Sequence, residues 1–77
     1  MRESIQILFM QARLIRLAAE KWNTTIFKSN EIFAKYNIFK FTEECFDEFH
    51  TEGDEAVFDD IELMLQGKEV DINAEIN

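Results

Sequence analysis

The side chains most suited to acid–base, nucleophilic or metal chemistry are concentrated in residues 41–65 of this chain. This stretch contains the only histidine, His50, and the only cysteine, Cys45. A catalytic base needs a nucleophile or a positioned acid beside it. On one helix, Cys45 and His50 would lie roughly 140° apart around the axis, at about 100° per residue, and would not pair. We therefore expect His50 to brace the turn that follows it and Cys45 to pack as a small apolar residue.

Potential metal ligands do not occur in a recognised spacing. One cysteine and one histidine do not supply a zinc site through cysteines. The acids between residues 54 and 60 lack the alternating oxygen ligands of a calcium loop, and there is no His-Glu-x-x-His motif. We predict no catalytic residue, no cofactor and no metal, and hence a protein that is not an enzyme. The rival hypothesis is a small metal-binding protein or enzyme centred on His50, with Glu52 or Asp54 as its acid.

Acidic side chains outnumber basic ones, and their distribution is uneven. The net charge is −8, made up of about +4 in residues 1–40 and about −12 in residues 41–77. Such an asymmetry either pairs within the fold or serves an outside partner. A solvated face that aids solubility is the simpler interpretation, and an electrostatic face for a basic protein is the sharper one. The residues assigned to this partner-binding face are Glu44, Asp47, Glu48, Glu55, Asp59 and Glu62.

Helical periodicity accounts for most of the chain. The absence of proline and the presence of only two glycines are typical of helices joined by tight turns. We predict helices over residues 3–23, from the Asn23–Thr25 turn to about Tyr36, from a cap at Thr42 to Gly53, and from there to Gly67. An apolar connection over residues 38–41 should pack against the core. The predicted fold is all-α, a small bundle of three to four helices with short turns, in a single domain over residues 1–67. Residues 68–77 are expected to form a frayed C-terminal tail.

The first predicted helix is apolar on two sides, and a helix of that kind is buried on both. Either it runs through the middle of the bundle, or one of its faces docks a second copy or a partner. We favour docking, because the other helices of so short a chain can hardly cover both faces. One stripe contains Ile5, Leu8 and Phe9. The residues assigned to self-association, which would give a homodimer, lie on the other stripe and are Ile7, Met10, Leu14 and Leu17.

The classes of partner can be narrowed in the same way. No apolar run is long enough to span a membrane, and the start of the chain lacks the pattern of a signal peptide. A net negative charge repels phosphate, and no glycine-rich phosphate loop is present. We therefore expect a protein partner, with basic character, and neither nucleic acid nor membrane. A lone thiol with no export signal favours the cytoplasm.

Two short motifs carry a family resemblance: Phe-His-Thr-Glu-Gly at residues 49–53 and Asp-Asp-Ile at residues 59–61. With them, about residues 4–66 resemble a family of short bacterial proteins known as domain of unknown function 3791. This chain has Asn37 after Tyr36, where the family pattern has glycine. The resemblance implies no activity, but members encoded beside proteins similar to ADP-ribosyltransferases imply an antitoxin-like or accessory role.

The functional prediction from the residues themselves is a small acidic helical protein that acts as a non-catalytic protein–protein interaction module. The alternative that the resemblance implies is an antitoxin-like or accessory partner that neutralises a neighbouring toxin enzyme of ADP-ribosyltransferase type.

Overall fold

Six α-helices make up the fold in the computed structural model, which describes residues 2–77, so that Met1 of the predicted domain lies outside the described residues. The described part of the chain contains no β-strand, and the predicted all-α bundle is confirmed. No described helix combines the length and apolarity that are needed to cross a membrane. The helices are α1 Arg2–Lys21, α2 Ile26–Lys35, α3 Ile38–Glu44, α4 Phe46–Phe49, α5 Asp54–Gly67 and α6 Ile72–Ile76.

The hydrophobic core lies where α1 packs against α2, α3 and α5. Its aromatic centre is Trp22, whose ring lies 6.1 Å from that of Phe33 and 5.5 Å from that of Phe58. Phe33 and Phe58 are among the largest fully buried side chains. Rings of this size bury enough area to stabilise a core in a chain without disulfides.

The two apolar stripes of α1 have different surroundings. Met10 and Leu14 are buried in the core, and Ile7 and Leu17 pack against it. The stripe assigned to self-association is therefore the one that the fold uses itself, and in this fold Met10 and Leu14 are not available to a second copy. The large apolar side chains that α1 leaves exposed lie in its N-terminal half: Ile5 at 52%, Leu8 at 63% and Phe9 at 62%.

Helix α2 ends next to Tyr36, as predicted, but α3 begins at Ile38, earlier than the predicted cap at Thr42. Thr25 caps α2 by accepting a hydrogen bond from the Lys28 amide at 2.9 Å. Asn37 takes a left-handed conformation with φ 58°, which asparagine tolerates better than most residues and glycine adopts freely. The apolar connection forms the start of α3, because Ile38 is completely buried and anchors it.

Thr42 was predicted to cap a helix, and this prediction is wrong. It lies inside α3, is completely buried, and donates its hydroxyl to the Phe39 carbonyl at 2.9 Å. The same hydroxyl oxygen accepts a hydrogen bond from Gln11 Nε2 of α1 at 3.0 Å. A buried hydroxyl needs such partners, so Thr42 joins α3 to α1.

The single helix predicted from Thr42 to Gly53 is divided at Cys45 into α3 and α4. His50 ends α4, and the Thr51 hydroxyl donates to the Glu48 carbonyl at 2.8 Å in the following turn. Gly53 is extended, with φ −81°, and is the N-cap of α5. Gly53 was predicted to end the preceding helix and instead precedes α5, since that turn is closed by Thr51.

The C-terminal segment contains α6 where a frayed tail was predicted. Val70, Ile72 and Ile76 pack against the core. The Glu75 carboxylate accepts hydrogen bonds from the Tyr36 hydroxyl at 2.7 Å and from Lys35 Nζ at 2.9 Å. These partners lie about 40 residues away, so the local composition of the segment does not reveal them.

Candidate functional site

A cleft of about 260 Å³ opens between the N-terminal half of α1 and the turn that joins α4 to α5. Its floor is apolar, because Met10, Phe46 and Phe49 are buried beneath it. Its rim is polar. We call this site the His50 cleft, and its lining residues are Gln6, Phe9, Met10, Arg13, Phe46, Phe49, His50, Glu52 and Asp54.

His50 is held at the edge of the cleft by Phe46. The two rings are stacked, with centroids 5.1 Å apart and an angle of 22° between their planes. His50 Nδ1 lies 2.8 Å from the Phe46 carbonyl oxygen. A carbonyl only accepts, so Nδ1 carries the hydrogen, and Nε2 of the neutral ring is left as an acceptor. The side chain thus braces the end of α4 and directs its outer nitrogen away from that hydrogen bond.

Arg13 and Asp54 form an ion pair across the rim. Arg13 Nε lies 3.0 Å from Asp54 Oδ2, and both side chains are partly exposed. Asp54 is the first residue of α5, where the helix dipole also favours a carboxylate. Pairs of this exposure contribute about 0–1 kcal/mol. Asp54, considered as an acid for His50, is thus paired with a guanidinium instead.

The side chains that line the cleft limit the chemistry that it can offer. Its lining includes no hydroxyl, thiol or amine that could act as a nucleophile. Residues 2–77 contain no group of three or more His, Cys, Asp or Glu side chains arranged to hold a metal ion. Nucleophilic catalysis with His50 as base would need a hydroxyl or thiol beside the ring. The cleft does bring His50 together with Glu52 and Asp54, the acids that the rival hypothesis names.

Cys45 lies away from the cleft, at the break between α3 and α4. Burial raises the pKa of its thiol, and the carboxylates of Glu48, Glu44 and Asp60 raise that pKa further. The thiol is therefore kept protonated and unreactive, in agreement with a packing role.

The six carboxylates of the predicted partner-binding face form two groups. Glu44, Asp47 and Glu48 are exposed around the α3–α4 break. The other three lie on α5, near the end of α1. In that second group, Glu55 lies 3.0 Å from Lys21 Nζ, Asp59 helps Glu55 to raise the pKa of Lys21, and Glu62 accepts a hydrogen bond from Trp22 Nε1 at 3.4 Å.

Pairing within the fold accounts for a small part of the acidic excess. Of the thirteen acids in residues 41–77, three form ion pairs with described basic side chains, namely Asp54, Glu55 and Glu75. The remaining ten have no ion-pair partner among the side chains that the structure describes. The negative field of this half is therefore largely uncompensated and extends into solvent.

Large apolar side chains accompany this charge at the surface. Leu63 is 63% exposed on α5, and Asp59 and Asp60 are its neighbours one turn earlier. Phe9 is both exposed and part of the wall of the His50 cleft. On α1, Phe9 lies one turn from the exposed Ile5, and exposed apolar side chains that lie together within a polar rim mark interaction sites.

The contribution of α1 to the cleft was missed by the sequence analysis. Gln6, Phe9 and Arg13 are separated from Asp54 by more than 40 residues, and no local pattern pairs them. The sequence did indicate the other wall, because His50, Glu52 and Asp54 were considered together as the polar groups of one turn.

Comparison with known proteins gives a family without an assigned activity. A family model described as "Protein of unknown function (DUF3791)" matches residues 9–68. This range contains every residue of the His50 cleft except Gln6. The chain matches no curated protein and no solved structure.

Proposed function

The chain belongs to the DUF3791 family of proteins of unknown function, and we propose that it is a non-catalytic module that binds a basic protein partner through its acidic half. The observation that carries the proposal is the uncompensated charge, ten carboxylates of residues 41–77 without an ion-pair partner among the described side chains. Complementary fields of this kind steer association and select partners by sign.

Charge alone would also suit a surface whose only role is solubility. The exposed Leu63 favours the binding interpretation, because a surface that serves only solubility is expected to expose few large apolar side chains, and Leu63 lies one turn after Asp59 and Asp60. An apolar contact within a charged rim is the usual anatomy of an interface. The partner is therefore expected to present a basic surface with an apolar recess.

The antitoxin-like role is a narrower form of the same proposal. It requires that the basic partner be a toxin enzyme of ADP-ribosyltransferase type encoded nearby. The test of the broader proposal therefore comes first, and the identity of any captured partner decides the narrower one.

The experiment compares the protein with a charge-reversed variant as bait in its own cells. Glu48→Lys with Asp59→Lys reverses one residue from each acidic group, and both side chains are exposed, so the fold should be retained. Glu3→Lys with Glu20→Lys is the matched control, with the same change in net charge at exposed positions of α1. Circular dichroism confirms that each variant is folded.

We expect a basic protein that co-purifies with the wild type and the control, and whose recovery with the charge-reversed variant falls at least about tenfold. With that partner purified, the dissociation constant should rise steeply with salt concentration. Equal recovery with both variants would contradict the proposal, as would the absence of any partner beyond a tag-only bait.

A further inference from the structure

We propose that the His50 cleft is the anchor site for an arginine side chain. The source of that arginine, a basic partner protein, rests on the proposed function. The chemistry of the cleft is argued independently of it. Four properties of the cleft point to this occupant: its size, its acceptors, its aromatic surfaces and the guanidinium that it already holds.

The size of the cleft suits a single side chain. Its volume of about 260 Å³ is below the roughly 300–1,000 Å³ of pockets that enclose drug-sized ligands. It is open at the rim and closed by Phe46 and Phe49 at the floor. A residue projecting from a partner surface could therefore enter it while the partner backbone stays outside.

Apart from the Arg13–Asp54 ion pair, three polar side chains of the rim can accept hydrogen bonds. His50 Nε2 is an acceptor in the neutral ring, Glu52 has a carboxylate, and Gln6 adds an amide oxygen. Arginine carries five N–H donors and no acceptor, so it is the side chain that such a rim complements best. An acidic or phosphorylated residue would face the Glu52 carboxylate with no unpaired cation to hold it.

Aromatic surfaces favour the planar guanidinium in particular. The exposed ring of Phe9 forms one wall, and the ring of His50, backed by Phe46, forms another. A guanidinium stacks on aromatic faces and gives up its hydration more easily than an ammonium. The cleft should therefore discriminate arginine from lysine, which an acidic surface alone would not do.

Arg13 provides an internal precedent for guanidinium binding. Its Nε lies 3.0 Å from Asp54 Oδ2 at the rim, so the cleft accommodates this group with good hydrogen-bond geometry. Arg13 neutralises Asp54 but leaves Glu52 without an ion pair among the described side chains. The rim therefore keeps one negative charge in excess, and that charge is available to a second guanidinium.

The test is an NMR titration of the full chain with small probes. The ligand is Nα-acetyl-arginine methylamide, and the matched probes are the citrulline analogue, which keeps the shape without the charge, and the lysine analogue. We expect saturable shifts for the backbone amides of Phe9, His50 and Glu52, with a dissociation constant on the order of millimolar for so small a ligand. The citrulline and lysine analogues should bind at least about tenfold more weakly.

Variants assign the binding to the cleft. Glu52→Gln and Phe9→Ala should each weaken the arginine probe at least about fivefold. Glu20→Gln, which removes an equal charge outside the cleft lining, should leave it unchanged. Both Phe9 and Glu52 are exposed, and the spectrum itself reports whether each variant is folded.

The possible failures are distinguishable. The anchor site is overturned if no shift saturates. It is also overturned if arginine and lysine give equal shifts that spread over the exposed acids of α3, α4 and α5. Either result leaves the acidic-face proposal standing. Saturable binding that Glu52→Gln and Phe9→Ala leave intact would also overturn the anchor site. If the recovery of the partner is unchanged by Glu48→Lys with Asp59→Lys, the acidic-face proposal is overturned and the anchor site is not.

Discussion

Leu8 and Leu14 offer a direct test of which face of α1 is buried. Leu14 is 0% exposed and Leu8 is 63% exposed, in the same helix and six residues apart. Replacing a fully buried leucine by alanine costs about 2–5 kcal/mol. At about 0.05–0.15 kcal/mol per residue, a domain of this length has a free energy of unfolding of about 4–12 kcal/mol. Leu14→Ala should therefore remove a large part of the stability.

The same substitution at Leu8 should have a small effect. Complete burial of a leucine side chain is worth about 1.5–3 kcal/mol. About a third of Leu8 is buried, so truncation at this position should cost less than about 1 kcal/mol. Alanine is also a slightly better helix former than leucine, by a few tenths of a kcal/mol. The two variants share composition and helix, so the difference between them isolates burial.

Urea unfolding followed by Trp22 fluorescence and by circular dichroism measures both values. We expect an unchanged slope for both variants and a lower midpoint for Leu14→Ala alone. In a domain of 60–100 residues each kcal/mol corresponds to about 4–8 °C, so the melting temperature of Leu14→Ala should fall by about 10 °C or more. A Leu14→Ala variant within about 0.5 kcal/mol of the wild type would refute the orientation of α1. A loss for Leu14→Ala that vanished with dilution would show instead that Leu14 is buried between copies.

Three further outcomes follow from individual contacts. Thr42→Val removes a buried hydroxyl with two hydrogen bonds and should cost about 1–3 kcal/mol in urea unfolding; no loss would mean that this hydroxyl is solvated. Hydrogen bonds, first the one from Tyr36, lower the pKa of the Glu75 carboxyl below its ordinary value of 4.5. The stabilisation that this carboxylate gives to α6 is therefore complete above the pKa of the unfolded chain, and it is lost as the pH falls through the lower pKa of the folded protein. Carboxyl NMR should show that Tyr36→Phe raises this pKa; an unchanged pKa would exclude the hydrogen bond. Glu48→Gln should lower the pKa of the Cys45 thiol and speed its alkylation at pH 8, and an unaltered rate in a folded variant would exclude the electrostatic effect.

Local signals in the sequence located most of the helices. Thr25 caps α2 as its hydroxyl and position predict, and Gly67 is the last residue of α5. The failures occurred where a distant contact outweighed the local pattern. Thr42 has the chemistry of a helix cap, but the buried Ile38 starts α3 four residues earlier and places Thr42 in the interior.

The local sequence also could not predict which of the two apolar stripes of α1 is buried. Both stripes are apolar, so periodicity predicts that both are buried and cannot rank them. Packing decides, because Met10 and Leu14 lie in the core that α1 forms with α2, α3 and α5, while Leu8 and Phe9 are left exposed. Surplus apolar surface on α1 was expected, and the structure places it on the opposite stripe.

The same holds for the His50 cleft, where the sequence predicts neighbours in one turn but not contacts between distant residues. His50, Glu52 and Asp54 share one turn, and the sequence could group them. Arg13, however, changes what they can do, because its guanidinium pairs with Asp54 and leaves Glu52 as the acid of this turn without an ion pair among the described side chains. The fold thus distinguishes the two acids of the turn, one ion-paired and one not, which the sequence alone does not do.

The acidic groups and the His50 cleft can serve one binding event at different ranges. Screened fields act over about 8–10 Å at physiological salt, so exposed carboxylates such as Glu48 and Asp59 can orient a basic partner before contact. They do little to hold it, because exposed ion pairs contribute at most about 1 kcal/mol each. Retention needs a desolvated anchor with shape, and such anchors are often arginine or aromatic side chains in pockets. Reversal of Glu48 and Asp59 should therefore act mainly on the association rate, and Phe9→Ala mainly on the dissociation rate. A kinetic measurement with the purified partner that assigned both effects to the association rate would show that the cleft takes no part in holding it.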